Sequence, residues 1–240
     1  MIRMILTIVS VVFIGSTPFV YAAETALKNE SLEKTIKGAI ADLIEDNAAF
    51  AAWTPDEHFQ SFQDIQNPRV TMVMCSDSRV QVDNFSQGAE NDIFVARNIG
   101  NQFSTTQGSI EYGVNSLKTP VLIFVGHSHC GAIKAARGDL NQIAPAIRKE
   151  LLTMDVKAAP DENQAVALNV HNQVEKALAD FKEKVESKKV AIIGAIYDFR
   201  NDYGYGNGQL IIINLNGEKD PKKITNSHYF DGLDHVKVGI

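Results

Sequence analysis

Five side chains that can bind a metal ion follow two short hydrophobic runs of this sequence. Cys75 and Asp77 come directly after one run, and His127, His129 and Cys130 come directly after another. His127 and Cys130 are three residues apart, so a turn that enters a helix can present both to one centre, and Cys75 would come from an adjacent strand. Zinc binds Cys sulfur and His nitrogen in a tetrahedron, and a set of two Cys and one His leaves the fourth position open, as in catalytic zinc sites.

A disulfide between Cys75 and Cys130 is the alternative explanation of the two cysteines. The chain contains only these two, and an exported protein with two cysteines is expected to pair them. That bond would close a long loop, but it would leave His127, Asp77 and Arg79 without a common explanation. The residue types and their positions therefore favour a metal site over a disulfide.

Short runs rich in Val and Ile precede these side chains and recur along the chain. Runs of this kind without alternation are typical of strands buried on both faces, and helical patterns between them indicate a parallel sheet. The sequence predicts an α/β fold with a mostly parallel central sheet of about five strands, the last one antiparallel, flanked by helices and preceded by an N-terminal helical arm. The predicted strands are 70–74, 93–96, 121–125, 190–196 and 210–215, and the predicted helices are 29–53, 107–117, 132–137, 140–154 and 163–185. Ligands bind such sheets at the carboxyl ends of the strands.

Residues 1–22 have the features of a secretory signal peptide. Arg3 is their only charged residue, the apolar run 5–15 is short for a bilayer span, and small residues precede a cut after Ala22. The sequence therefore predicts an exported, periplasmic protein with residues 23–240 as a single catalytic domain. No further membrane segment is expected in the mature chain.

The composition excludes several classes of protein. Hydrophobic residues make up 45% of the 240 residues, which argues against intrinsic disorder. The chain has 29 acidic and 23 basic residues and a net charge of −6, which gives no support to nucleic-acid binding. Two cysteines are too few for a disulfide-rich scaffold.

Four motifs, in chain order, closely resemble those of the β-class carbonic anhydrases. They are Cys75-Ser76-Asp77-Ser78-Arg79-Val80, Arg97-Asn98-Ile99-Gly100-Asn101, Ser109-Ile110-Glu111-Tyr112-Gly113-Val114 and Gly126-His127-Ser128-His129-Cys130-Gly131-Ala132. The resemblance extends over about residues 30–215. It departs from the family's usual residues at Gly113 and Ala132, and neither position is that of a metal ligand.

The resemblance implies the reversible hydration of CO₂ to bicarbonate and a proton, with Zn²⁺ held by Cys75, His127 and Cys130. Zinc-bound hydroxide would attack CO₂, and Asp77 and Arg79 would form a dyad that orients the hydroxide. In some family members the aspartate instead becomes the fourth zinc ligand in a closed state, so zinc and the guanidinium compete for one carboxylate. His129 does not match a ligand position, and we interpret it as a loop histidine rather than a proton shuttle.

The resemblance also implies a substrate pocket and an oligomer. Gln66, Phe94 and Tyr112 match positions that line the substrate pocket in the plant-type branch, where they come from the neighbouring subunit of a dimer. The implied assembly is a homodimer or a dimer of dimers, in which the helix over 29–53 clasps its partner. Another branch has a Trp three residues before the first Cys for a regulatory bicarbonate site, and Met72 stands there in this chain, which argues against inhibition by bicarbonate.

Three other functions stay open from the sequence. Relatives of this family hydrolyse carbon disulfide, and motif spacing does not separate CS₂ from CO₂. A zinc-stabilised assembly protein with a vestigial site would keep the ligands, although the intact Asp77 and Arg79 argue against it. An exported thiol or disulfide protein would hold no metal.

Overall fold

The computed structural model describes residues 18–240, with side chains from residue 31 onwards. Residues 1–17 of the predicted signal peptide lie outside the described residues, so its cleavage and the single domain over 23–240 stay predictions. The described residues divide into two compact units, one that ends at Ser61 and one over Phe62–Ile240. Among the described residues, no helix combines the length and the apolar character needed to cross a bilayer.

The first unit contains two helices, α1 at Pro18–Trp53 and α2 at Asp56–Gln60. α1 ends where the sequence pattern predicts, but it begins at Pro18 rather than at residue 29. Its apolar side chains recur at helical spacing, yet they are 51% to 87% exposed in this chain: Leu32, Ile36, Ile40, Leu43, Ile44 and Trp53. The predicted helix is confirmed, and these apolar side chains are exposed in the single chain.

The second unit is built on a sheet of six strands with the order β2-β1-β3-β4-β5-β6. The strands are β1 at Val70–Cys75, β2 at Ile93–Asn98, β3 at Val121–His127, β4 at Ala191–Asp198, β5 at Gln209–Leu215 and β6 at Lys237–Val238. β1 pairs in parallel with β2 and β3, and β3 pairs in parallel with β4, whereas β5 runs antiparallel to β4. The predicted α/β fold is confirmed. The sixth strand was not predicted, because its two residues carry no hydrophobic pattern.

Five further helices connect the strands: α3 at Gln107–Glu111, α4 at Gly131–Arg137, α5 at Pro145–Leu151, α6 at Glu162–Glu186 and α7 at Pro221–Thr225. α4 and α6 agree closely with the predictions. The helix predicted over 107–117 is instead α3 followed by a π-helical turn, Tyr112–Ser116. The helix predicted over 140–154 is shorter because Pro145, which lacks an N–H, occupies the first turn of α5.

α6 lies very close to the sheet near the carboxyl end of β3 and at the middle of β4. A Cβ atom on Gly126 would lie 2.6 Å from the Val170 side chain, and one on Gly194 would lie 2.7 Å from it. Glycine at both positions is what allows this approach. Because Gly126 directly precedes His127, the packing of α6 also fixes the strand end that carries this histidine.

Candidate metal centre

The predicted metal-binding side chains lie at the carboxyl ends of two neighbouring strands. Cys75 is the last residue of β1, His127 is the last residue of β3, and Cys130 is the N-cap of α4. The strand order reverses between β1 and β3, because β2 lies beside β1 whereas β4 lies beside β3. Connections leave such a switch point in opposite directions, which opens a crevice for a ligand.

Cys75, His127 and Cys130 form a buried cluster. One ligand atom from each residue lies within 4.8 Å of the other two. Both cysteines are free thiols, so the structure does not contain the disulfide that the sequence left open. Two sulfurs and one imidazole nitrogen are a donor set that zinc accepts, and three protein ligands leave its fourth position available.

The imidazole of His127 is oriented for a metal ion. Its Nδ1 lies 3.0 Å from the carbonyl oxygen of Ser128, and an N–H at Nδ1 donates to that oxygen. The other nitrogen, Nε2, is buried and has no hydrogen-bond partner among the described residues. A buried nitrogen without a partner is costly, and a metal ion at Nε2 would remove that cost. The arrangement matches that of metal-binding histidines, whose second nitrogen donates to a carbonyl or carboxylate.

The close approach of the two thiols lowers the pKa of Cys75 and raises the pKa of Cys130. Burial raises the pKa of both. The amide nitrogen of Gly100, 3.4 Å from the Cys75 sulfur, lowers the pKa of Cys75, and the amides of Ala132 and Ile133 act in the same direction on Cys130. Amide donors therefore reach both sulfurs and favour the thiolate form that binds metal.

Arg79 holds the carboxylate of Asp77 beside this cluster. Nε of Arg79 donates to Oδ1 over 2.8 Å and Nη2 donates to Oδ2 over 2.7 Å, and the Arg79 backbone N–H also donates to Oδ1. The guanidinium holds the pKa of the Asp77 carboxyl well below its usual range. Oδ2 lies 3.9 Å from Nε2 of His127, so the carboxylate adjoins the predicted ligands.

Arg97 fixes the loop that carries Asp77, a contact that sequence reasoning did not predict. Its guanidinium donates to the carbonyl oxygens of Cys75, Asp77 and Val80 over distances of 2.7 to 3.1 Å. Its place in a motif marked the residue, but not its partners. A single arginine thus ties down the backbone from the end of β1 through the whole following turn.

Phe199 is a second residue that sequence reasoning missed. Its ring stacks on that of His127, with 6.0 Å between centroids and 25° between planes, and Cζ of Arg79 lies 4.8 Å from its centroid. Phe199 follows β4, and Tyr197 pairs with His127 in the β3–β4 register. The sequence contains no motif at Phe199, so only the pairing of these strands could have located it.

His129 does not join the cluster. Its Nδ1 lies 3.2 Å from Oε1 of Glu162, and its side chain is half exposed. Its φ angle of 53° lies in the left-handed region that residues other than glycine rarely adopt. His129 is therefore a loop residue whose side chain is directed to an acidic neighbour, and its carbonyl oxygen accepts a hydrogen bond from Arg79 over 3.2 Å.

The three predicted pocket residues lie away from the metal cluster within one chain. Phe94 and Tyr112 are in contact, with 5.7 Å between their ring centroids, and Tyr112 is 47% exposed. Gln66 is exposed in the segment before β1. Phe94 pairs with Thr71, four residues before Cys75, which at the rise of a strand is roughly 13 Å along the sheet. The structure brings Phe94 and Tyr112 together but does not bring them to the cluster.

Comparison with known proteins identifies one family. A family model described as carbonic anhydrase matches residues 70–204. The carbonic anhydrase of Synechococcus elongatus is 32% identical over 164 residues, which are 58% of this chain and 60% of that protein. The carbonic anhydrase of Mycolicibacterium smegmatis is 35% identical over 107 residues, which are 42% of this chain and 52% of that protein. The chain thus spans only about half to three fifths of the length of these curated relatives.

Solved structures show the same fold. The β-carbonic anhydrase CcaA superimposes with a TM-score of 0.60 at 23% identity, over 77% of this chain and 95% of that chain. A β-carbonic anhydrase from Sordaria macrospora, described as tetrameric, gives a TM-score of 0.61 at 23% identity, over 74% of this chain and 98% of that chain. At this level of identity the likeness establishes the architecture, and the site has to be argued from its own residues.

Proposed function

Since this chain belongs to the β-class carbonic anhydrase family, we propose that it catalyses the reversible hydration of carbon dioxide to bicarbonate and a proton. The observation that carries the proposal is the buried cluster of Cys75, His127 and Cys130 at the strand ends. Its donor atoms are those of a zinc site with an open position, and the buried Nε2 of His127 lacks a partner among the described residues.

Cys75, His127 and Cys130 would hold the zinc ion. When bound, zinc lowers the pKa of a water molecule from 15.7 towards about 7 and so supplies a hydroxide nucleophile near neutral pH. The protein supplies a buried cluster and an imidazole whose orientation is set by the carbonyl of Ser128. It also supplies amide donors to both sulfurs, which limit how strongly the thiolates donate charge.

Asp77 and Arg79 would orient the nucleophile. Both carboxylate oxygens of Asp77 accept hydrogen bonds from Arg79, and a remaining lone pair of Asp77 can accept the hydrogen of the attacking oxygen. That bond would direct a free lone pair of the oxygen towards CO₂, which is a positioning effect. Arg79 would also keep the carboxylate from taking the fourth metal position, because the guanidinium competes for the same oxygens.

Gln66, Phe94 and Tyr112 would line the substrate pocket of a second copy of the chain. Their distance from the cluster within one chain supports this proposal, because residues at the opposite ends of the strands cannot serve the same chain's metal. An amide donor beside aromatic rings suits an uncharged linear molecule that becomes an anion. The pocket would therefore be complete only in a dimer.

The apolar face of α1 supports a homodimer or a dimer of dimers. Six large apolar side chains of this helix are more than half exposed in the single chain, including Trp53 at 87%. An apolar surface of this extent marks an interaction site, and burial against a partner would stabilise the pair by about 25 cal/mol for each Å² covered. The relative from Sordaria macrospora is described as tetrameric, which agrees with this proposal.

Export to the periplasm is the proposed location. Its support is the sequence of residues 1–22, with one charged residue, an apolar run and a small-residue cleavage pattern. Mass spectrometry of the mature chain from the periplasmic fraction tests it, with an N-terminus at Ala23 as the expected result.

Stopped-flow measurement of CO₂ hydration across pH, with zinc quantified on the same sample, tests the proposed function. We expect about one zinc per chain, and an activity that is lost on chelation and restored by zinc. Carbon disulfide is assayed in parallel. Hydrolysis of CS₂ without CO₂ hydration would replace the proposed substrate, and a metal-free protein with Cys75 bonded to Cys130 would refute the metal site.

A further inference from the structure

A buried chain of amide hydrogen bonds connects α6 to the sulfur of Cys75. The side-chain amide of Gln173 donates to Oδ1 of Asn169 over 2.8 Å, and Nδ2 of Asn169 donates to the carbonyl oxygen of Gly100 over 2.9 Å. The backbone N–H of Gly100 in turn donates to the Cys75 sulfur, with 3.4 Å between nitrogen and sulfur. Asn169 is 1% exposed and Gln173 is fully buried, so solvent does not compete for these bonds.

α6 also holds the far end of the same loop. Oε1 of Gln173 accepts a hydrogen bond from the backbone N–H of Phe103 over 2.9 Å. Asn169 and Gln173 are four residues apart, so both side chains project from one face of the helix. The loop over 100–103 is therefore attached to α6 at both ends, and α6 is itself packed against the glycines of β3 and β4.

Gly100 has no side chain that could anchor it in this position. Its φ of +85° is a conformation that glycine adopts freely, and a Cβ atom there would lie 2.6 Å from Cε of Met154. A glycine with this freedom needs an external partner to fix its peptide groups. The Nδ2 group of Asn169 supplies that partner at the Gly100 carbonyl.

We propose that Asn169 and Gln173 are positioning residues for the metal centre, which hold the amide of Gly100 against the sulfur of Cys75. A hydrogen bond to a thiolate stabilises the charge on sulfur and reduces its donation to a bound cation. α6 would thus set the electron density at one metal ligand without touching the metal. The inference rests on the proposed function in one respect, that Cys75 is a metal ligand.

Two matched leucine substitutions test the inference. Asn169→Leu removes the donor to Gly100 with little change of size. Asn172→Leu is the control on the same helix: it removes a more exposed bond, in which Nδ2 of Asn172 donates to the carbonyl of Asp155, and it leaves the side-chain bonds to Gly100 and Phe103 in place. Zinc affinity is measured by competition with a chelator, and the sulfur-to-metal charge-transfer band is recorded on the protein loaded with Co²⁺.

For Asn169→Leu we expect zinc to bind about 10-fold more weakly, because Cys75 and the loop behind it are then held less firmly, and this loss of positioning outweighs the greater charge donation of the sulfur. The cobalt band should move to longer wavelength, because a sulfur without its hydrogen bond gives up charge more easily. Asn172→Leu should leave both values within about twofold. An Asn169→Leu protein with unchanged zinc affinity and an unchanged band would overturn the inference.

The outcomes also separate this inference from the proposed function. A wild-type chain that binds neither Zn²⁺ nor Co²⁺ would refute the metal site itself, whereas normal wild-type binding with an unaffected variant refutes only the role of α6. If Asn169→Leu does not fold by circular dichroism, Asn169→Ala and its control Asn172→Ala replace the pair. Alanine cannot donate to Gly100 and places no charge in the buried site, so the same two measurements decide.

Discussion

Two Arg–Asp pairs lie at opposite ends of the same part of the sheet. Arg79 and Asp77 follow β1 at its carboxyl end, whereas Arg69 and Asp92 directly precede β1 and β2 at their amino ends. Both pairs are joined by two side-chain hydrogen bonds of 2.6 to 3.0 Å. In both, the guanidinium lowers the pKa of the carboxyl below its ordinary value.

The surroundings of the two pairs differ. Asp77 is 3.9 Å from a buried histidine nitrogen, and Arg79 has a further contact with the Phe199 ring. Arg69 is 78% exposed, and its pair has no metal-binding cluster beside it among the described residues. A bidentate ion pair is therefore not a functional signal by itself. The neighbouring ligands make the carboxyl-end pair a candidate for chemistry.

The largest expected effect is the loss of those ligands. His127→Asn should lose zinc and reduce CO₂ hydration by at least about 10³-fold, because the nucleophile is then no longer available near neutral pH. His129→Asn is the matched control, since asparagine tolerates the left-handed backbone at this position. It should keep zinc and activity within about twofold. Zinc content and stopped-flow rates on the same samples check both variants, and an active, zinc-loaded His127→Asn protein would contradict the ligand assignment.

The two aspartates can be compared directly by one substitution. Asp77→Asn should retain zinc but lower kcat/KM by about 10²-fold, because the amide cannot keep the carboxylate's bonds to Arg79 and still orient the nucleophile. Asp92→Asn breaks the same kind of pair at the other end of the sheet and should leave kcat/KM within about twofold. Equal effects of the two substitutions would remove the distinction drawn between the pairs.

Mixed oligomers test whether the amino end of the sheet acts on the site of a second copy. Phe94→Ala alone should lower activity about 10-fold, and Cys75→Ala alone should abolish it. In an equal mixture half of the dimers pair unlike chains, and each of these has one intact site, so activity should return to about a quarter of wild type. Dissociation and reassembly of the two purified variants provide the sample. No recovery on mixing would place Phe94 outside a shared pocket.

A smaller effect is expected from the aromatic support of the carboxyl-end pair. Phe199→Leu removes both the stack on His127 and the contact with the Arg79 guanidinium. Such contacts contribute about 0.5 to 1 kcal/mol, so kcat/KM should fall about threefold. Phe199→Tyr keeps the ring and should restore the wild-type value. A tyrosine variant as impaired as the leucine variant would show that the ring contacts are not the cause.

The smallest effect concerns the stability of α6, which supports the carboxyl end. Burial lowers the pKa of His171 to about 4, below its ordinary value of about 6.5, so the unfolded chain binds its proton first as the pH falls. This contribution is fully present above about pH 6.5 and is lost as the pH falls towards 4. Because His171 is partly exposed, we expect His171→Asn to reduce the loss of unfolding free energy between pH 7 and 4.5 by about 1 kcal/mol. Urea titrations at the two pH values check this, and an identical loss in both proteins would contradict it.

The strands and the cluster at their ends could be predicted because their signals are local. Uninterrupted Val and Ile runs predicted five strands, and a polar group directly after a run had to lie at a strand end. The ends of α5 were predicted less well, because Pro145 decided where this helix begins, and the helical pattern over 107–117 did not distinguish α3 from the π-helical turn that follows it.

The sequence by itself determined where the proposed site residues stand: Cys75, Asp77, Arg79, His127 and Cys130 follow strand ends, and the order of the chain places them there. The tertiary structure alone decided what supports and completes them. Phe199 and Asn169 reach the site through strand pairing and helix packing between residues far apart in the chain, and Phe94 lies roughly 13 Å along the sheet from Cys75. Those relations depend on which elements become neighbours, which is a property of the folded chain and not of any short segment.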